Sequence, residues 1–356
     1  MDKTVLDFYT DYLISSFSQT TATGLSALLG GTLSHDRISR FLKAPTQTSA
    51  DLWQLVKPLV RKVQREDGVL IIDDSIEEKL YTDESELICW HWDHVFGRSV
   101  KGINLLTCLY YSQEVALPVA FELVKKPDFV TDKKTGKVKR AARQTKNELY
   151  RQMLRACVAN QLPFAYVLND LWFASAENMV FLKVEIKKDF VMPLKENRKV
   201  SLEPPNTEKR NFVPVSSLTL EADTLLTVWL EDVDFPLLLV KQVFTNKDGS
   251  TGIVYLVTSD TTLSAQQITT LYQKRWKVEE YHKSLKSNLC FAKSPTKTVR
   301  TQSNHIFACL AAFVKMERLR MSTKLNHFAM KAQLYQAALA SAFQQLQTMK
   351  ASGALT

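Results

Sequence analysis

Two short apolar runs that end in acids constrain this chain most. Val69-Leu-Ile-Ile-Asp-Asp-Ser75 opens directly after the turn signal Asp67-Gly68, and Phe164-Ala-Tyr-Val-Leu-Asn-Asp170 comes much later in the chain. A continuous apolar run of this length, bounded by turn signals, reads as a buried strand. Each therefore delivers a carboxylate to a strand end. Between them, residues 103–111 and 115–124 read as two further strands joined by the turn Ser112-Gln-Glu, so that the first three strands form a meander. A helix is expected from about 147 to 159, and another near Ser175.

Strand, strand, strand, helix, strand, helix, with an acid closing the first and fourth strands, is the order of an RNase H-like α/β domain. We assign it residues 66–300, with a β-rich insertion at about 190–258. Residues 1–65 read as helical, with Tyr9, Leu13 and Phe17 on one stripe. Two short helices there flank Gly30-Gly31, and Ser34 can cap the second. This resembles a helix-turn-helix, in which Arg37, Arg40 and Lys43 would face DNA. An ordinary helical bundle packed on the α/β domain fits the same residues. From 301 to 356 the chain reads as helical again, with Ile306, Leu310, Phe313, Leu319, Leu334, Leu339, Phe343 and Leu346 offering apolar surface for dimerisation.

Sequence-distant acids at strand ends can converge at one edge of a sheet. Carboxylates brought together repel one another and need cations between them, and hard divalent ions with oxygen ligands suit the position. A third carboxylate comes from residues 263–289, which lack Pro and Gly and can form one helix. On such a helix Tyr272, Arg275, Glu279 and Lys286 fall within about 60° of one another. Ile268, Leu271, Val278, Leu285 and Leu289 make an apolar stripe beside them. A carboxylate between two cations suits metal and phosphate chemistry; a solvated charged face would have the same composition.

The spacing Y-x2-R-x3-E-x6-K, within RWKVEEYHKSLK, resembles the YREK signature of bacterial insertion-sequence transposases of the insertion-sequence-4 superfamily, which are DDE enzymes. The resemblance implies that Asp74, Asp170 and Glu279 are catalytic and hold two Mg²⁺ (or Mn²⁺) ions per active site. Asp74 is preferred to Asp73 because the family often shows a D-T or D-S pair, which IDDS supplies; VLNDLWFAS matches the family's second acid, and Glu280 is the exposed neighbour of Glu279. Arg275 and Lys286 would hold phosphates, Tyr272 would touch a phosphate or sugar, and Lys274 and Lys283 would add positive charge. Tyr255 or Trp229 would stack on a flipped base, although neither position matches cleanly. The implied partners are double-stranded DNA, as element ends and target, and a second copy of the chain in the synaptic complex. The implied place is the bacterial cytoplasm, on the nucleoid. A transposase-derived DNA-binding protein without activity and an RNase H-like host nuclease are the alternatives.

Charge and composition agree. The net charge of +9 favours a polyanionic partner, nucleic acid before membrane surface. Lys133, Lys134, Lys137, Lys139, Arg140, Arg143 and Lys146 crowd one polar loop that should track phosphates. The five cysteines lack CxxC spacing and read as buried free thiols. No apolar run reaches the ~18 residues of a membrane span, and the acid-containing N-terminus lacks a signal-peptide pattern. His91 and His94 would point to opposite faces of a strand, which argues against zinc. His282 and His305 read as packing or phosphate contacts. No P-loop, G-x-G-x-x-G or Ser-His-Asp order is present.

Overall fold

A computed structural model describes residues 2–93, 97–133, 136–208, 210–246 and 248–352. The chain opens with four helices, α1 (Lys3–Ser15), α2 (Ala22–Leu28), α3 (His35–Leu42) and α4 (Ser49–Val63). Asp2, Thr21 and Ser34 accept backbone N–H groups at the first three N-termini, and Thr48 with Asp51 forms a capping box on the fourth. Gly30 and Gly31, at φ 59° and 79°, make the left-handed turn between α2 and α3. Ile38, Phe41 and Leu42 bury one face of α3 and leave Arg37 and Arg40 outside.

The sheet begins with β1 (Val69–Glu78), β2 (Cys89–Asp93), β3 (Arg98–Ser112) and β4 (Val115–Leu123). β3 pairs antiparallel with β1, β2 and β4. The expected meander is thus present, with β2 added at its edge. The basic segment expected as a loop is a separate hairpin of β5 (Asp128–Thr131) and β6 (Val138–Ala141). Its cations are largely taken up locally: Arg143 by Asp128, Lys139 by Asp132, and Arg140 by Glu84. Lys134 lies outside the described residues.

After α5 (Lys146–Ala159), β7 (Tyr166–Asn169) runs parallel to β1. α6 (Ala176–Val180) and a π-helical segment (Phe181–Ile186) lead to β8 (Asp189–Leu194), parallel to β7. β9 (Lys199–Ser201), β10 (Val213–Pro214), β11 (Leu225–Leu230), β12 (Leu237–Thr245) and β13 (Thr251–Thr258) complete the sheet. Its order is β10-β9-β11-β12-β13-β8-β7-β1-β3-β2, with β4 also on β3. The segment read as a β-rich insertion therefore continues the central sheet, its first strand lying directly against β7.

The chain ends in α7 (Ala265–Gln273), α8 (Trp276–Asn288), α9 (Val299–Thr323) and α10 (His327–Ala351). Two apolar cores sandwich the sheet. Val69 and Ile71 face one core, shared with α1, α3, α8 and α9; Leu70 and Ile72 face the other, shared with α4 and α5. This is the period-two alternation of a strand buried on both faces. Tyr9 OH meets His305 Nδ1 at 3.0 Å, so the N-terminal helices are tied into α9. All five cysteines are free and buried. Among the described residues, no helix is long and apolar enough to cross a membrane.

Candidate functional site

Three elements meet at one place: the middle of β1, which runs on to Glu78 instead of closing at its acids, the end of β7, and the first turn of α8. β1 and β7 lie side by side with Ile72 opposite Asn169, so the next residues, Asp73 and Asp170, follow from adjacent positions in parallel strands. The pleat of β1 sends its two aspartates to opposite faces. Asp73 follows Ile71 onto the side occupied by α8. Asp74 follows Ile72 onto the side occupied by α5.

That division decides their partners. Asp74 is held by Lys146 at the start of α5, with Nζ 3.0 Å and 3.1 Å from its two oxygens, and accepts a 2.6 Å hydrogen bond from Asn104 Nδ2. Asp73 accepts the Asp74 backbone N–H at 2.8 Å and lies 3.5 Å from Arg275 Nη1. Asp170 sits at the turn after β7, where its carboxylate accepts the Trp172 N–H at 3.1 Å. It serves as a cap and faces the acids at once.

The expected single helix over 263–289 is broken. α7 stops at Gln273 and α8 starts at Trp276, although Lys274 and Arg275 keep right-handed helical dihedrals. The cause is a tight i to i+3 turn: Lys274, Arg275, Lys277 and Val278 N–H groups each bond the carbonyl three residues back. Beyond the break, Val278, Tyr281, Leu285 and Leu289 are at most 1% exposed, which fixes the rotation of α8. Arg275 turns inward, with Nη1 3.2 Å from Glu279 Oε1 as well as near Asp73. Glu279 is about half exposed and faces the cavity. Lys286 donates to the Ile76 carbonyl at 2.9 Å, pinning α8 to the end of β1.

The result is an open cavity of about 650 Å³, lined by Asp73, Asp74, Asp93, Asp170 and Glu279 and by Lys146, Arg275, Lys283 and Lys286. Burial raises the Asp73 pKa well above its ordinary value, and the charges of Asp170, Asp74 and Glu279 raise it further; Arg275 opposes them. The Asp170 pKa is also raised, first by burial and then by Asp74. Carboxylates held this way are short of positive charge. Ligand atoms of Asp73, Glu279 and His282 lie within 4.8 Å of one another. The hard oxygen donors and the unneutralised negative charge fit a divalent cation.

Other expected residues fall elsewhere. Tyr272 is half-buried beneath Arg275, whose guanidinium carbon is 5.8 Å from its ring, and burial pushes its pKa up to about 12. Lys274 is half-buried at the break, and Lys283 lies on the cavity rim over Phe328. Tyr255 is buried in the sheet opposite Lys241 and Leu194, and Trp229 pairs with Ser201 on β11; neither lines the cavity. Two exposed tryptophans do line it, Trp92 on β2 and Trp172 just after Asp170. Lys146 lies 4.7 Å from the Trp172 ring centroid. Arg37 is bound by Asp2, at 2.7 Å. His91 is buried with Nε2 3.3 Å from Cys89 Sγ, and His94 lies outside the described residues.

Sequence reasoning placed Lys146 in the basic loop and His282 among packing or phosphate contacts, and it gave Trp172 no role of its own. Lys146 and Trp172 flank elements already singled out, and Trp172 stands inside the VLNDLWFAS stretch. His282 follows Glu279 by three residues, which on a helix is the same face.

No match was found among curated proteins. Among solved structures, the crystal structure of Kluyveromyces polysporus Argonaute with a guide RNA is similar over 72% of this chain and 28% of that chain, at 13% identity and a TM-score of 0.21. A likeness that slight carries no argument. The DDE superfamily endonuclease model matches residues 2–212, and the transposase DDE domain model matches residues 124–314. Each match spans more than half of the 356 residues, and with acids converging from β1, β7 and α8 on one cavity, the chain belongs to the DDE endonucleases and transposases.

Proposed function

We propose that this protein is a DNA transposase of the insertion-sequence-4 superfamily, with an RNase H-like core, that binds the inverted repeats of its element as a dimer, cuts at the ends and joins the 3′-hydroxyls to target DNA. The observation that carries this reading is the convergence of Asp73, Asp170 and Glu279, from two adjacent parallel strands and a helix, on a cavity that also holds Arg275, Lys146, Lys283 and Lys286. The parallel pairing of β1, β7 and β8 beside the antiparallel β1–β3–β4 meander supports the RNase H-like assignment.

Of the two adjacent aspartates, we place Asp73 at the metal position. It faces Glu279, while Asp74 is engaged by Lys146 and Asn104. The family uses divalent metal. Two Mg²⁺ or Mn²⁺ ions held there would supply activation of the attacking oxygen and stabilisation of the leaving one in an in-line phosphoryl transfer. The lining carries five carboxylates against four cations, and bound divalent cations would shift that balance toward attracting a phosphate.

The chain's own residues then position the DNA. Arg275, freed from Asp73 and Glu279, can donate to a phosphate with its fork geometry, and Lys283 and Lys286 add point charges along the same face. Trp172 and Trp92, each about half exposed and lining the cavity, are better placed than Tyr255 or Trp229 to meet an unstacked base. Arg40, with Arg37 once released from Asp2, would touch DNA flanking the cut. The exposed apolar residues Leu334, Tyr335, Leu339, Phe343, Leu346 and Met349 of α10 would meet a second protomer.

The test is an assay on DNA carrying the element's ends with Mg²⁺ or Mn²⁺. Cleavage followed by joining to a target plasmid is the expected outcome. Cleavage without joining would point to a nuclease, and binding without cleavage to a DNA-binding derivative.

A further inference from the structure

We propose that His282 supplies a nitrogen ligand to a divalent cation that it shares with Asp73 and Glu279. This rests on the reading of that cluster as a metal site and adds a donor of a different kind to it.

The first observation is placement. His282 and Glu279 stand three residues apart on α8, so their side chains share a face. The rotation of that face is not free, because Val278, Tyr281 and Leu285 anchor the adjoining face in the core. A ring nitrogen of His282 and carboxylate oxygens of Asp73 and Glu279 come within 4.8 Å of one another, close enough to converge on one ion.

The second observation is an unmet need. His282 is 7% exposed, and its Nε2 is buried without a hydrogen-bond partner among the described residues. A buried polar atom in that state is uncommon and asks for an explanation. Among the described residues, each of the other buried histidines has at least one polar neighbour on its ring, although His327 Nε2 has an ion-pair contact in place of a hydrogen bond. His305 has Tyr9 OH at 3.0 Å and the Cys290 carbonyl at 3.1 Å; His327 has Ser284 Oγ at 2.8 Å and Glu317 at 3.0 Å; His91 has Cys89 Sγ at 3.3 Å. Among the described histidines, His282 alone is buried with no polar partner, and it alone lines the acidic cavity. Burial beside Lys286 and Arg275 keeps its ring neutral, with the pKa lowered to about 3, and neutral imidazole is the form that binds metal.

The chemical consequence is selectivity. Oxygen donors suit Mg²⁺ and Mn²⁺ alike, whereas imidazole favours transition metals. A mixed Asp-Glu-His set should prefer Mn²⁺ to Mg²⁺ more strongly than a site of carboxylates alone.

Full-length protein, with a short DNA duplex present, would be titrated with Mn²⁺ and followed by electron paramagnetic resonance. Pulsed measurements would then look for nitrogen coupled to the bound ion, in unlabelled protein and in protein carrying ¹⁵N-histidine. We expect a ¹⁴N signal that changes to ¹⁵N on labelling and disappears in His282→Gln, whose Mn²⁺ affinity falls by about tenfold or more, the scale seen even for groups that only orient a ligand. Affinity for Mg²⁺ should fall less. The wild-type labelling result stands even if the variant folds poorly, and His282→Asn offers a second substitution. Mn²⁺ bound in a manner that depends on Asp73 and Glu279 but without histidine nitrogen coupling would overturn the role of His282 and leave the carboxylate site intact. A nitrogen signal that persists in both variants would overturn it too. No bound Mn²⁺ at all would sink the metal site and this inference with it.

Discussion

Two clusters of buried charge lie on the same side of the sheet, and they are built on opposite principles. Around Glu317 on α9, the carboxylate is closely partnered: Arg320 Nη2 sits at 2.9 Å, His327 Nε2 at 3.0 Å, and the Ala116 N–H at 3.3 Å. In the middle of β1 and just after β7, Asp73 and Asp170 have fewer partners, and the nearest guanidinium, Arg275, is shared between Asp73 and Glu279. The shifts run accordingly. Burial pushes Glu317 up, yet hydrogen bonds from His327 and Arg320 outweigh it and hold the carboxyl below its usual range. Burial pushes Asp73 up, and its neighbours push it further. The first cluster closes a tertiary joint between α9, α10 and β4. The second stores repulsion, which is what a site kept ready for cations requires.

The largest effect that could break this comparison is on catalysis. Asp170→Ala and Glu279→Ala should each lower end cleavage by several orders of magnitude, because phosphoryl transfer depends on positioning. DNA binding should persist, since removing a carboxylate does not weaken attraction to phosphate. Asp73→Ala should match them and Asp74→Ala should be milder. The reverse order, measured as single-turnover rates on end DNA, would return the metal position to Asp74.

Stability should move in opposite directions at the two clusters. Glu317→Ala leaves half-buried Arg320 and buried His327 without their shared acceptor and should destabilise the fold by about 1–3 kcal/mol in denaturant melts. Asp73→Asn removes repulsion and should stabilise the metal-free protein by about 0.5–2 kcal/mol while abolishing cleavage. A destabilising Asp73→Asn would mean that the acids at β1 serve the fold, and the contrast would fail.

The pH dependence follows from the sign at Glu317. Its folded pKa lies below its unfolded one, so the stability it contributes is fully present above the ordinary glutamate value of ~4.3 and is lost as pH falls through the lowered value. The stability gap between wild type and Glu317→Gln should therefore shrink on acidification from pH 5 to pH 3, in melts at fixed ionic strength. A gap that stays constant would show that the carboxylate charge is not what holds the joint.

Much of this was legible from local pattern. Apolar runs closing in acids marked β1 and β7, and the stripe Val278, Leu285, Leu289 named the buried face of α8, because burial on one face writes itself into periodicity. What stayed hidden depends on distant packing. Asp73 and Asp74 differ only in which face of β1 they leave, and that matters only once α8 is known to cover one face and α5 the other. The placement of β8 beside β7 is a parallel, non-local pairing without a turn signal to announce it. The break at Lys274–Arg275 has no Pro or Gly; it is a tightening of the helix that turns Arg275 toward the acids. The choice of Tyr255 and Trp229 as stacking residues rested on their neighbourhood in sequence, and the first is buried in the sheet.

The smallest effect concerns the cations, and it asks whether the two clusters use them differently. Lys283 and Lys286 line the acidic cavity, where they are exposed and face the space a phosphate backbone would cross. Arg320 is committed to Glu317 and to the Glu114 carbonyl. If the first pair serves DNA, Lys283→Ala and Lys286→Ala should each flatten the slope of log K against log salt by about 0.9, the yield of one phosphate contact on duplex DNA. The fold should lose little from the first, since a single exposed lysine contributes within ~1 kcal/mol. Lys286 also donates to Ile76, so its replacement should cost slightly more. Arg320→Ala should do the reverse, lowering stability while leaving the salt slope of the folded protein unchanged. Filter-binding titrations across a range of salt, with any duplex that the wild type retains, separate the two. Equal slopes for all four proteins would mean that DNA does not pass over α8, and the cavity's lysines would then have to be explained by the fold alone.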